Sequence, residues 1–201
     1  MKELAEMSLE ELWQLFPIVL REHSPEYRQW FEEEHTDLAA IWGKSAPRIS
    51  HIGSTAVPGL IAKPTVDILL ELGGEIDPQE VIDRTSRAGW TPMSGAARRP
   101  LGLSFNKGYT PTGFAQKVFH LHVRPPGDHD ELYFRDYLIE HPDTARDYER
   151  LKQSLRERFE HNRDAYTENK TDFIRSVTAR ARSLYPGRHT PSADEVRGSF
   201  S

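Results

Sequence analysis

Cysteine is absent from this 201-residue chain. That excludes disulfides, thiolate nucleophiles and cysteine-based zinc sites. Long apolar runs are missing too: no window approaches the roughly eighteen apolar residues that signal a membrane-spanning helix. The opening residues, MKELAEMSLEELWQLF, have neither an apolar core nor a small-residue cleavage site, so no secretory leader is expected and the expected location is the cytoplasm. A basic excess is also lacking. The net charge of −5 gives no strong case for a nucleic-acid partner, because sequence-independent binding rests on phosphate neutralisation. No internal repeat, low-complexity segment or heptad run is present.

What is there suits one globular unit with a sizeable core. Charge is uneven along it. Residues 1–45 carry four Lys/Arg against ten Asp/Glu, whereas residues 146–188 carry eleven against seven. Mixed-charge helix surfaces explain such a bias, and a basic C-terminal face is also able to attract phosphate.

The capping box Ser8-Leu9-Glu10-Glu11 and the Ser24-Pro25 start signal predict helices over the first 45 residues, with Gly43 ending the second. A mixed β region over 46–126 follows. Strands are predicted at Arg48–Ile52, Thr65–Leu72, Trp90–Met93, Leu101–Asn106 and Lys117–Arg124, with a helix from Asp77 to about Ala88. Asn106-Lys107-Gly108-Tyr109 reads as a hairpin loop. Residues 127–185 are helical in pattern, and 186–201 lack periodicity and read as a mobile tail. The order predicts an α+β fold, a mixed sheet with flanking helices and a helical C-terminal region, in one structural unit.

Strand alternation locates the chemistry. Asp67 shares a face with Leu69 and Glu71, and His120 shares one with His122 and Arg124, while the opposite faces are wholly apolar. If the two strands pair, Asp67, His120 and His122 converge on a site suited to a divalent ion, since carboxylate and imidazole are common ligands. Gly53 lets backbone approach a ligand, and Ser54 and Thr55 offer hydroxyls and N–H groups suited to phosphate. Lys63 is within reach of a phosphate, and Arg124 suits a carboxylate or phosphate fork or a pairing with Glu71. Arg135 is placed to point at the sheet, and Tyr166 and Lys170 stand one helical turn apart.

A strand, Gly-Ser, a spacer and then an Asp on the next strand resembles the nucleotidyltransferase superfamily that includes DNA polymerase β and the aminoglycoside nucleotidyltransferases. More closely, HIGSTAVPGLIAKPTVDILLEL, SFNKGYT, FHLHVRPPGDHDELYFRDYLIEHP and YTENKTDFI are similar to the GrpB family, over residues 9 to about 185. The resemblance implies a nucleotidyltransferase-type core with Asp67 as the catalytic acid, and Gly53, Ser54, Thr55, Lys63, Arg124 and Lys170 around a nucleotide, ATP included, or another phosphate-bearing small molecule. A divalent metal, Mg, Mn or Zn, would sit on Asp67, His120 and His122. The chain departs from the superfamily at Leu69, where a second acid stands in the two-metal enzymes. Glu71 lies one further alternation away, roughly 6.5–7 Å along the strand. Two other functions remain open on this fold: a single-metal Asp/His/His hydrolase or ligation/cyclisation enzyme, and a catalytically degenerate ligand-binding module.

Overall fold

The computed structural model describes residues 2–73, 76–93 and 101–197. Ser8 and Glu11 close the capping box in both directions, Ser8 Oγ accepting from the Glu11 N–H at 3.2 Å and Glu11 accepting from the Ser8 N–H at 2.7 Å, and start helix α1 (Leu9–Leu15). Helix α2 (Glu26–Trp42) ends at Gly43, whose φ of 52° is open to glycine at little cost. Strands β1 (Arg48–Ile52) and β2 (Val66–Glu71) follow, then α3 (Pro78–Arg87), capped by Asp77 accepting from the Gln79 N–H at 3.0 Å. Next come β3 (Thr91–Pro92), β4 (Leu103–Thr110) and β5 (Gly113–Arg124). The remainder is helical: α4 (Asp130–Glu140), α5 (Pro142–Phe159), α6 (Arg163–Glu168), α7 (Thr171–Leu184) and α8 (Ala193–Arg197).

The strands form one mixed sheet in the order β1-β2-β5-β4-β3. The decisive neighbours are β2 and β5, which pair in parallel with Asp67 opposite His120 and Leu69 opposite His122. Successive side chains alternate faces, so the register puts Asp67, His120 and His122 together. The other face of these strands supplies Val66, Ile68, Leu70, Phe119, Leu121 and Val123 to the main core, beneath Tyr27, Phe31, Leu38 and Trp42 of α2 and Val81 of α3. Each fully buried aliphatic or aromatic side chain there stabilises the fold by about 1.5–3 kcal/mol. A second cluster, with Tyr133, Phe134, Tyr137, Tyr148 and Val177, binds α4, α5 and α7 to one another and to Val57 and Leu60.

One expectation needs correction. The segment Asn106–Tyr109 is not a hairpin loop but the middle of β4, where the pairing with β5 shifts between Lys107 and Tyr109. Gly108 makes the bulge: its φ is 90°, and a Cβ there would collide with the Lys117 carbonyl. The turn lies further on, at Thr110–Gly113, so β4 and β5 are both longer than periodicity implies. Within the segment 186–201 that lacks periodicity, the first residues make polar contacts with α4 and β1. Arg188 pairs with Glu140 at 2.7 Å, His189 Nε2 lies 3.0 Å from Asp136, and Arg48 donates to the His189 carbonyl at 3.2 Å. These polar ties leave no hydrophobic period to read. Residues 198–201 lie outside the described ones.

Candidate functional site

Between the polar face of the sheet and the C-terminal helices lies a cavity of about 1030 Å³. Its floor is Gly53, Ser54, Asp67, His120 and His122, and its walls include Lys63, Lys152, Arg163, Tyr166 and Lys170. Asp67 is central. His120 Nδ1 stands 3.0 Å from Asp67 Oδ1, and His122 Nε2 lies 3.8 Å from the same oxygen. Burial alone would raise the Asp67 carboxyl, but the hydrogen bond from His120 and the nearby His122 outweigh it and hold the group well below the usual range. Asp67 is ionised.

His120 is locked at both ring nitrogens. Its Nε2 faces Tyr109 Oη at 2.8 Å and Arg163 Nη2 at 3.1 Å. A guanidinium only donates, so Nε2 is the acceptor and the proton sits on Nδ1, donated to Asp67. Burial lowers the His120 pKa, with Asp67 opposing, and keeps the ring neutral. His122 differs: its side chain is 29% exposed and borders the cavity.

Gly53 explains how the turn after β1 comes so near. Its φ is 72°, and a Cβ there would strike the Asp67 carboxylate. Ser54 Oγ accepts from Lys152 Nζ at 3.2 Å, and the same ammonium donates to the Ile61 carbonyl. Lys63 and Lys170 stand over the Tyr166 ring, 5.7 Å and 4.4 Å from its centroid. Among the described residues neither has a carboxylate within ion-pair distance. Burial is the first cause of weakened proton affinity in all three lysines. Lys63 falls to about 7, with repulsion from Arg163 and Lys170 added, and Lys152 to about 7, with repulsion from Lys170. Lys170 falls to about 8, where Asp67 offsets part of the loss and Arg163 adds to it.

Of the residues expected at the site, the structure gathers Gly53, Ser54, Lys63, Asp67, His120, His122 and Lys170 on this cavity. It does not bring Thr55 or Arg124. The Thr55 side chain is buried, donating to the Thr65 carbonyl at 3.2 Å and paired with His51 Nε2 at 3.0 Å. Arg124 turns to the Leu103 and Val123 carbonyls, each at 2.9 Å, and Glu71 is taken instead by Arg48, His129 and the Gly127 N–H. Arg135 does reach the sheet, donating to the His51 carbonyl at 3.0 Å.

Lys152, Arg163 and Tyr109 were not foreseen. Lys152 had a signal, since it occupies an apolar helix position between buried Tyr148 and Leu155. Tyr109 had none: unbroken alternation puts it on the apolar face with Phe105, and only the Gly108 bulge carries it round to His120.

The arrangement of these groups also differs from what a divalent ion requires. Among the described residues no three His, Asp or Glu side chains are arranged to hold one. Asp67 and His120 are bonded to each other, and Leu69 is sealed between Ile52 and Leu132. The residues as placed do not fit the metal that the superfamily resemblance implies.

A family model described as GrpB protein matches residues 17–180. The chain belongs to the GrpB family. A UPF0157 protein of Pseudomonas aeruginosa is 36% identical over 161 residues, covering 78% of this chain and 64% of that protein. The UPF0157 protein YqkA of Bacillus subtilis is 29% identical over 180 residues, covering 87% of this chain and 50% of its own. The chain thus spans between half and two thirds of these two relatives. The crystal structure of the conserved protein GrpB from Enterococcus faecalis superposes with a TM-score of 0.71 at 29% identity, covering 83% of this chain and 99% of that one. The α+β architecture is therefore that of a solved GrpB protein. Among the described residues no helix is long and apolar enough to cross a membrane.

Proposed function

We propose that this GrpB chain is a nucleotidyltransferase-like enzyme acting on a nucleotide or another phosphate-bearing small molecule. One observation carries the reading: Lys63, Lys152, Arg163 and Lys170, from a loop, α5, α6 and the α6–α7 junction, converge on a cavity whose floor holds the ionised Asp67 and the accessible His122. Cations with few carboxylate partners and a Gly-Ser turn suit phosphate oxygens. The volume is at the upper end of the roughly 300–1,000 Å³ typical of small-molecule cavities, which leaves space for a donor and an acceptor side by side.

In this reading the lysines and Arg163 hold the phosphates and neutralise charge that builds up during displacement. Asp67 is held too far below neutrality to be an effective base, and it serves by orienting the histidines. His122, 3.8 Å from Asp67, takes the proton from an acceptor hydroxyl as its oxygen attacks the α-phosphorus of a nucleoside triphosphate. The α–β phosphoanhydride bond breaks, and pyrophosphate leaves with its charge offset by the lysines and Arg163.

The test is a calorimetric scan of nucleoside triphosphates, followed by pyrophosphate release in the presence of hydroxyl acceptors. Expected are saturable binding by at least one nucleotide and release that falls about 10²–10⁴-fold in His122→Asn, with affinity nearly unchanged. Failure of every nucleotide to bind would sink the proposal. Binding without release of pyrophosphate would favour the degenerate ligand-binding module.

A further inference from the structure

We propose that fixed side-chain cations replace divalent metal at this site, so that the cavity binds a polyphosphate chain without a metal ion. The inference rests on the phosphate-binding reading above and makes it narrower.

The first line of argument is what the carboxylate and imidazoles already do. Asp67 Oδ1 accepts from His120, while Asp67 Oδ2 lies against the backbone of Gly53, so close that no side chain fits there. A cation on His120 Nε2 would displace Tyr109 and sit against the Arg163 guanidinium, which is 3.1 Å from that nitrogen. Like charges at that range repel strongly in a poorly solvated site. The position that would carry a second acid is Leu69, which is fully buried.

The second line is what stands in place of the ions. Lys63, Lys152, Arg163 and Lys170 gather on the cavity with Asp67, while its other carboxylates, Asp128, Asp130 and Glu131, line it together with Arg175 and Arg182, and Arg182 pairs with Asp128 and Asp130. Lys63 and Lys170 flank one face-forming ring, Tyr166, and Lys152 is anchored by Ser54 Oγ and the Ile61 carbonyl. These groups come from separate elements and are held by the fold before any ligand arrives, so they supply positive charge without the ordering cost of recruiting ions. A single phosphate monoester offers only its terminal oxygens to these four cations. A di- or triphosphate chain offers more oxygens and reaches more of these cations at once. Phosphate oxygens beside the lysines also favour their charged forms, so binding draws protons from solution.

The experiment is titration calorimetry of the full chain with pyrophosphate, tripolyphosphate and ATP, in EDTA and again with excess Mg²⁺ or Mn²⁺. Expected are dissociation constants in EDTA within about threefold of those with metal, and weaker binding of orthophosphate. Expected too is a binding enthalpy that changes with the ionisation enthalpy of the buffer near pH 8, the mark of proton uptake. Lys63→Met and Lys170→Met each weaken pyrophosphate by about tenfold or more, and Lys170→Arg retains most of the affinity. Both methionine variants remove a half-buried charge held at a lowered pKa, so they are expected to fold, which circular dichroism checks. Polyphosphate binding that appears only with a divalent ion overturns the inference while leaving the nucleotide reading intact. If polyphosphates bind under neither condition, both the inference and the reading beneath it fail.

Discussion

Asp67 draws its character from neighbours that sequence separates widely. His120 is 53 positions away and Gly53 is 14, yet the first donates to its carboxylate and the second is shaped to accommodate it. Gly53→Ala forces a side chain into a left-handed φ and into that carboxylate. Thermal denaturation should show a loss of more than about 1 kcal/mol, and phosphate binding should weaken with it because the turn must retreat. Leu69 offers a second check. It is fully buried and packed with Ile52 and Leu132. Leu69→Asp, which restores the acid of a two-metal enzyme, therefore buries an unpaired charge, with an expected loss of about 3–5 kcal/mol in chemical denaturation. A variant as stable as the parent would show that the position is far more open than it is drawn.

Among the elements, the alternating strands were legible because their chemistry is local. The apolar faces of β2 and β5 and the polar set Asp67, His120 and His122 follow from a period of two, and pairing in parallel register completes them. The cations were harder. Lys152 and Arg163 come from α5 and α6, whose positions are settled by packing of Tyr148 among Phe134 and Val177 and of Tyr166 among Leu155 and Ile18, and no local period encodes that packing. Thr55 looked like a phosphate ligand because the adjoining Ser54 is at the cavity; the short helical turn over Ser54–Ala56 points the two hydroxyls in different directions. The loop from Pro125 to His129 is held by charge: Glu71 accepts from Arg48 at 2.9 Å and from the Gly127 N–H at 2.9 Å, with His129 at 3.2 Å. The bond to Glu71, working against burial, raises the His129 pKa above its ordinary value. A raised folded-state value means that this stabilisation is complete below the unfolded value of about 6.5 and fades as pH rises through the folded one. Denaturation midpoints of His129→Gln should fall below the parent at about pH 6, the gap narrowing toward about pH 8. An equal gap at both would sink the assignment.

At the scale of the whole molecule the three lysines act on stability in the opposite sense. Lys63 and Lys152 lose their protons near about 7 in the folded chain and Lys170 near about 8, against about 10.4 when unfolded. Between those limits the unfolded chain binds more protons, so the lysine contribution to stability rises with pH. The melting temperature of the ligand-free protein should climb more steeply between about pH 7 and 9.5 than that of a Lys63→Met/Lys170→Met double variant, and parallel profiles would refute it. The crowding of cations around Tyr166 has a practical corollary for anyone handling the protein. On the phosphate-binding proposal, a cavity whose lining cations repel one another would also draw small anions from the medium. Sulfate or phosphate from purification would then compete with every candidate substrate, and an extract of the freshly isolated protein is the natural place to look for a retained anion.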